Sequence, residues 1–268
     1  MGKIAAGVMF ASACRILGDR TKCQFGLTRT GAVSYGQAVD WLTLVDSRVR
    51  ENDRMPRSAR FCPAGYPVHV VQRGVNRAIC FTSDKDTAAY AHSLLEGAER
   101  YGVDVHAWVF MTNHVHLLLT PATDHGISQL MRYIGRHYVQ PFNFKYARTG
   151  PLYDGRFRSS LVQDTAHLLH CIRYIELNPV RAGMTVDPGD YRWSSYRCHA
   201  FGKPARLWRP HAEYLALGAT PTERAKCYRT IVADVLPSDV VQKIRHCVNT
   251  GLVLGSESFR EQVNLLRS

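Results

Sequence analysis

The strongest constraint on this chain is the run Met111-Thr112-Asn113-His114-Val115-His116-Leu117-Leu118-Leu119, led in by Val103, Val105, Ala107 and Val109. Apolar stretches on either side of a short polar break predict two strands, 103–111 and 114–120, joined as a hairpin with Asn113 at the turn. Alternate side chains of a strand share a face, so His114 and His116 point the same way while Val115 enters the core. Two neutral imidazoles side by side are half of a divalent-metal site. Taken alone, the same pattern also describes a polar sheet face with no ligand.

A second stretch, Tyr174-Ile175-Glu176-Leu177-Asn178-Pro179, has the spacing of a helix ended by proline. Tyr174 and Asn178 are four apart and lie on one helical face. Two histidines, a phenol and an amide make a compact phosphoryl-transfer set: a metal polarises a phosphate oxygen and the phenol attacks phosphorus. Tyr133, Tyr138, Tyr146 and Tyr153 are rival nucleophiles, but none has a carboxamide or carboxylate four residues on. Helical geometry turns Glu176 away from Tyr174 and Asn178, so it is expected to be solvent-exposed or salt-bridged.

The remaining elements follow in order. Residues 66–74 predict a first strand ended by glycine; His69 in it is either a third ligand or, as expected here, an ordinary sheet residue, because nothing at its spacing pairs with it. Arg73, Asn76 and Arg77 form a basic loop suited to phosphates and bases. Ser83 or Asp84 caps a helix that Gly102 stops. A second helix spans about 127–146 and is interrupted by Pro141. Residues 149–162 predict a turn and a strand on which Arg156 and Arg158 share a face and meet phosphates. Asp164 or Thr165 caps the helix that delivers Tyr174. Further helix-like stretches follow at 211–217, 222–234 and 238–249.

Lys and Arg number 34 against 22 Asp and Glu, a formal charge of +12, which makes a polyanion the natural partner. Eight cysteines include no Cys-x-x-Cys pair, so neither a zinc knuckle nor a dense disulfide framework is expected. They are read as reduced thiols in a cytoplasmic protein. The apolar run 4–14, which follows Lys3, is far below the roughly 20 residues that span a bilayer. No membrane association is expected.

The ordered series as a whole resembles the single-tyrosine HUH transposases, the IS200/IS605-like transposase domain, and within them the domesticated REP-associated tyrosine transposases. The resemblance runs from about Met55 to at least His199. It rests on Val70-Val71-Gln72-Arg73-Gly74-Val75-Asn76-Arg77, Asn113-His114-Val115-His116-Leu117-Leu118, Gly155-Arg156-Phe157, Arg173-Tyr174-Ile175-Glu176-Leu177-Asn178-Pro179-Val180-Arg181-Ala182 and Trp193-Ser194-Ser195-Tyr196. It implies an α+β fold, a ferredoxin-like antiparallel sheet with packed helices. It also implies Tyr174 as nucleophile, His114, His116 and Asn178 as ligands of Mg²⁺ or Mn²⁺, and Arg73, Asn76, Arg77, Arg156 and Arg158 as DNA contacts.

The implied reaction cleaves and rejoins single-stranded DNA at hairpin-forming repetitive extragenic palindromes through a 5′-phosphotyrosine, by a monomer or homodimer. A non-catalytic binder of structured DNA or RNA and another HUH nickase are the competing readings. The expected organisation is a catalytic domain at 55–200 and a small helical C-terminal extension at 201–268 that touches DNA. The phrase Val45–Arg54 resembles in-frame translation of a short palindromic repeat, so residues 1–54 are expected to be sequence upstream of a start at Met55 and to be poorly ordered.

Overall fold

In a computed structural model, the chain is described over residues 60–163 and 166–267. The expectations for 1–54, for a start at Met55 and for a cap at Asp164 or Thr165 lie outside these residues.

The sheet has four antiparallel strands: β1 (Val68–Arg73), β2 (Val103–Met111), β3 (His114–Pro121) and β4 (Arg158–Leu161), in the spatial order β2-β3-β1-β4. With helix α1 (Asp84–Tyr101) between β1 and β2, and α2 (Gly126–Ile134) and α3 (Gln140–Lys145) between β3 and β4, this is the ferredoxin-like arrangement. Ser83 is the N-cap of α1, in a capping box with Asp86, and Gly102 ends the helix at φ 62°. Between α2 and α3 the chain makes a π-helical turn, Gly135–Val139, just before Pro141. That widened turn carries the helix past a residue with no N–H to donate, so the proline redirects the helix without breaking it.

One face of the sheet packs on α1 and α2. Its core includes Val70, Val105, Trp108, Phe110, Val115 and Leu117 with Tyr90, Leu94, Leu130 and Tyr138. Gly97 permits the close approach of α2, since a Cβ there would stand 2.6 Å from Leu130 Cδ1. The other face packs on α4 (Ala166–Glu176): Ala107, Val109 and Leu118 meet Leu168, Leu169, Ile172 and Ile175.

The lead-in of β2 departs from simple alternation. The register to β3 slips between Val105 and Ala107, so His106 is an extra residue, and Val103 and Val105 face α1 whereas Ala107 and Val109 face α4. His106 is held by Arg209 O at 2.7 Å and Thr120 Oγ1 at 2.8 Å.

Both sheet edges are covered. Trp193-Ser194-Ser195 lies along β2, with Phe110 N donating to Trp193 O and Ser195 N to Trp108 O. Along β4, Leu254 N donates to Leu161 O and Gln163 N to Leu254 O.

After a short helix α5 (Asn178–Arg181) come α6 (Tyr196–Phe201), α7 (Ala212–Leu215), α8 (Pro221–Ala233), α9 (Ser238–Thr250) and α10 (Glu257–Arg267). These helices are not set apart from the sheet. Tyr214, Tyr228, Ile244, Cys247 and Leu254 belong to the same buried cluster as Leu118 and Tyr174. Cys62, Cys80, Cys171, Cys198, Cys227 and Cys247 are free thiols. Among the described residues no helix is long and apolar enough to cross a membrane.

Candidate functional site

The face of the sheet toward α4 changes character along its strands. Near the middle it is apolar; toward the β2–β3 turn the paired positions become Met111 opposite His114 and Val109 opposite His116. On the other side of β3, β1 sets Val71 opposite His116 and Arg73 opposite His114. Directly paired residues share a face, so His114, His116 and Arg73 converge on one patch. The C-terminal end of α4 lies over it.

Tyr174 is brought edge-on to His116, with ring centroids 5.7 Å apart, and to His69 at 5.8 Å. Its ring is buried and its hydroxyl makes no hydrogen bond among the described residues. A cavity of about 390 Å³ opens there, lined by His114, His116, Tyr174, Asn178, Arg73 and Arg181 among others. Tyr133, Tyr138, Tyr146 and Tyr153 do not line it. Tyr138 and Tyr153 are buried in the α1-side core, Tyr146 packs against it with its hydroxyl on Asp86, and Tyr133 bonds Glu96.

The second nitrogens of both motif histidines are engaged. Asn113 Nδ2 donates to Arg77 O at 3.2 Å, which turns its Oδ1 toward His114 Nδ1 at 2.7 Å. His114 therefore carries its proton on Nδ1 and leaves Nε2 with a free lone pair. His116 Nδ1 lies 2.9 Å from His69 Nε2, so His116 likewise has Nε2 unengaged.

All three rings are held neutral. Burial, helped by the Arg73 charge, lowers the His114 pKa to about 4; burial alone lowers His69 to about 3. His116 is pushed well below its usual value by burial first, then by the neighbouring imidazoles, Arg181 and Arg73. Neutral imidazole is the form that ligates.

Asn178 Nδ2 donates to Tyr174 O at 3.1 Å and Ile175 O at 3.3 Å, so its Oδ1 is the atom left over for a ligand. Among the described residues no three His, Cys, Asp or Glu are grouped to hold a metal, so a metal held here would have two imidazoles and an amide oxygen, with outside ligands for the rest. The amide oxygen suits Mg²⁺ or Mn²⁺, and a three-donor set leaves positions for water or phosphate. The donor chemistry fits.

Arg181 lies over the Tyr174 ring, 4.5 Å from its centroid, and donates through Nη2 to Tyr174 O. Its Nε–H is buried without an acceptor, a donor available to an anion in the cavity. Arg156 and Arg158 also line the cavity, as Arg73 does. Asn76 and Arg77 do not. They form a short 3-10 turn with left-handed φ of 51° and 60°, their side chains exposed, and Arg77 O braces the β2–β3 turn through Asn113.

The expectation for His69 needs correction, and of the two forms expected for Glu176 the paired one holds, not the exposed one. His69 has a pairing partner after all, but the partner sits diagonally across on β3, and only the strand register brings it near. Glu176 is fully buried. It accepts from Ser195 Oγ, from Tyr228 OH at 2.6 Å, and from His199 Nδ1 at 2.7 Å. Turning away from Tyr174 carries it into the α6–α8 packing and not into solvent.

Arg181, Arg245 and Asn249 are cavity residues that sequence reasoning did not single out. Arg181 had a usable signal, since it follows Asn178 by three on the same helical face.

The site thus sets a His-x-His pair on an antiparallel sheet against a helical tyrosine. Residues 64–178 match the family model described as Transposase IS200 like.

Among its relatives is the REP-associated tyrosine transposase of Escherichia coli (strain K12). The two are 24% identical over 106 residues, 39% of this chain and 61% of that protein, so the chain spans less than two thirds of that relative's length. A solved structure of a REP-associated tyrosine transposase bound to a REP hairpin is 19% identical with a TM-score of 0.48, covering 59% of this chain and 93% of that one.

Proposed function

We propose that the protein cleaves and rejoins single-stranded DNA beside hairpin-forming repeats, with Tyr174 as the nucleophile. The observation that carries this reading is the buried Tyr174 ring set against His116 at the floor of an arginine-lined cavity. The K12 relative bears the name of a REP-associated tyrosine transposase, which agrees with it.

His114 and His116 through Nε2 and Asn178 through Oδ1 would hold Mg²⁺ or Mn²⁺. Such an ion would supply charge to a phosphate oxygen and help orient it. The chain's own residues do the rest. Arg73, Arg156 and Arg158 bind the backbone by charge-assisted hydrogen bonds. Arg181 offers its buried Nε–H to a phosphate oxygen beside the Tyr174 ring. Tyr174 Oη bonds phosphorus as the P–O3′ bond breaks; the phenol gives its proton to solvent and the leaving 3′ oxygen takes one up. The product is a 5′-phosphotyrosine and a free 3′-OH, and attack by a 3′-OH on that ester rejoins strands with no external energy source.

A hairpin oligonucleotide with an unpaired flank, taken from the gene's own neighbourhood, is incubated with protein and Mn²⁺ and run on a denaturing gel. A covalent protein–DNA band that disappears in Tyr174→Phe and in His116→Ala is expected. Tight binding without a band, across several flanks and both metals, would replace this reading with that of a non-catalytic binder.

A further inference from the structure

The family match ends at residue 178, yet one wall of the cavity is supplied by α9, from far beyond it. Arg245, Val248 and Asn249 line that wall. Asn249 Oδ1 accepts from Arg158 Nη1 at 2.6 Å, which ties α9 to the first residue of β4.

Past this bond a larger cavity, about 1070 Å³, opens between β4, the end of α9 and the last residue of α10. Arg156, Arg158 and Asn249 line both cavities, so the two are continuous around the Arg158–Asn249 hydrogen bond. Arg60 and Arg267 are added on the outer side, and Asp154 is the one carboxylate on the described walls of either.

Cations here lie on aromatic rings. The Arg60 guanidinium is 4.0 Å from the Phe157 centroid, and that of Arg267 is 5.1 Å from the Phe61 centroid. Guanidinium planes stacked on rings give flat platforms with donors at their rims, the surface that grips unpaired bases and their backbone.

We infer that α9 and the outer cavity form a channel for the unpaired strand running on from the scissile phosphate, with Arg245 and Asn249 as positioning residues at its entrance. The inference rests on the single-strand reading above. Charge complementarity and continuity with the Tyr174 cavity select a nucleic-acid backbone. A single strand is favoured over a duplex because the walls combine cations and rings, which stack on unpaired bases, and a duplex keeps its bases stacked on one another. The β4 edge itself is sealed by residues 252–254, so the occupant lies in the groove and does not add a strand to the sheet.

The test is binding by fluorescence anisotropy in EDTA over a salt series, using one hairpin oligonucleotide with and without its unpaired flank. Arg245→Ala and Arg267→Ala replace exposed side chains, so folding is retained. Each is expected to weaken binding of the flanked hairpin about three- to tenfold and to lower its salt slope by about 0.7 for each phosphate no longer neutralised. Binding of the flankless hairpin is expected to stay as in the wild type. Arg245→Glu combined with Arg267→Glu is expected to erase the affinity difference between the two oligonucleotides.

Unchanged flanked binding, or equal losses on both oligonucleotides, would overturn the channel. So would tighter flanked binding in Asn249→Ala, which would make α9 a barrier over the cavity. Failure of the transfer reading appears separately, as absence of the covalent band in wild-type protein with metal, whatever the flank does to affinity.

Discussion

The two faces of the sheet are built from the same strands, one residue out of phase, and they have opposite requirements. Toward α1 and α2 the face is mostly apolar, and Phe81, Tyr90, Phe110 and Tyr138 pack with their rings edge-on or tilted to one another. Toward α4 it is apolar only in part; nearer the hairpin turn it carries His114, His116 and Arg73. The contrast separates stability from chemistry. A well-packed face holds the strands rigid, which lets the opposite face keep three neutral imidazoles and the Arg73 guanidinium against a cavity.

The separation predicts distinct phenotypes for substitutions only a few ångströms apart. Tyr90→Ala empties the centre of the α1-side ring cluster, and its cost is expected to be about 3–5 kcal/mol of unfolding free energy by urea titration. The molecules that remain folded should retain their metal affinity.

His69→Ala should behave the other way. Removing the group that holds His116 Nδ1 is expected to weaken Mn²⁺ binding about 10- to 100-fold by calorimetry, with less change in stability than Tyr90→Ala. A variant that lost stability but kept metal affinity would show that His69 belongs to the core and not to the site.

Asp86 sharpens the comparison from the stability side. Burial raises its pKa, but hydrogen bonds from Lys145, Tyr146 and Ser83 outweigh this, and the carboxyl titrates below its ordinary 3.8. A depressed folded-state value contributes stability that is present above the unfolded value and is lost as pH falls through the folded one. Asp86→Asn is expected to cost about 1–2 kcal/mol near neutrality, with the deficit shrinking below pH 3.8. Equal deficits at pH 7 and pH 3 in thermal melts would contradict the assignment.

Much of this architecture was legible in local sequence. Ser83 and Gly102 bracket α1, the His-x-His pair marks its strand, and the four-residue spacing of Tyr174 and Asn178 marks one helical face. What was not legible depends on registration between distant segments. The bulge at His106 reverses the parity of β2, and no residue in the apolar run announces it. His69 meets His116 only because β1 pairs with β3 in one register. Glu176 is buried because its partners arrive from residues 195, 199 and 228. Arg245 and Asn249 reach the cavity only because α9 folds back across β4. Periodicity reads one element at a time, and each of these interactions joins two.

Tyr174, and no other tyrosine, is expected to take up the phosphate. The direct measurement is mass spectrometry of the trapped protein–DNA adduct after nuclease and trypsin digestion. Cleavage after Arg173 and Arg181 isolates the peptide that starts at Tyr174, and the account predicts the nucleotide remnant on that residue. A remnant on Tyr133, Tyr146 or Tyr153 would contradict it.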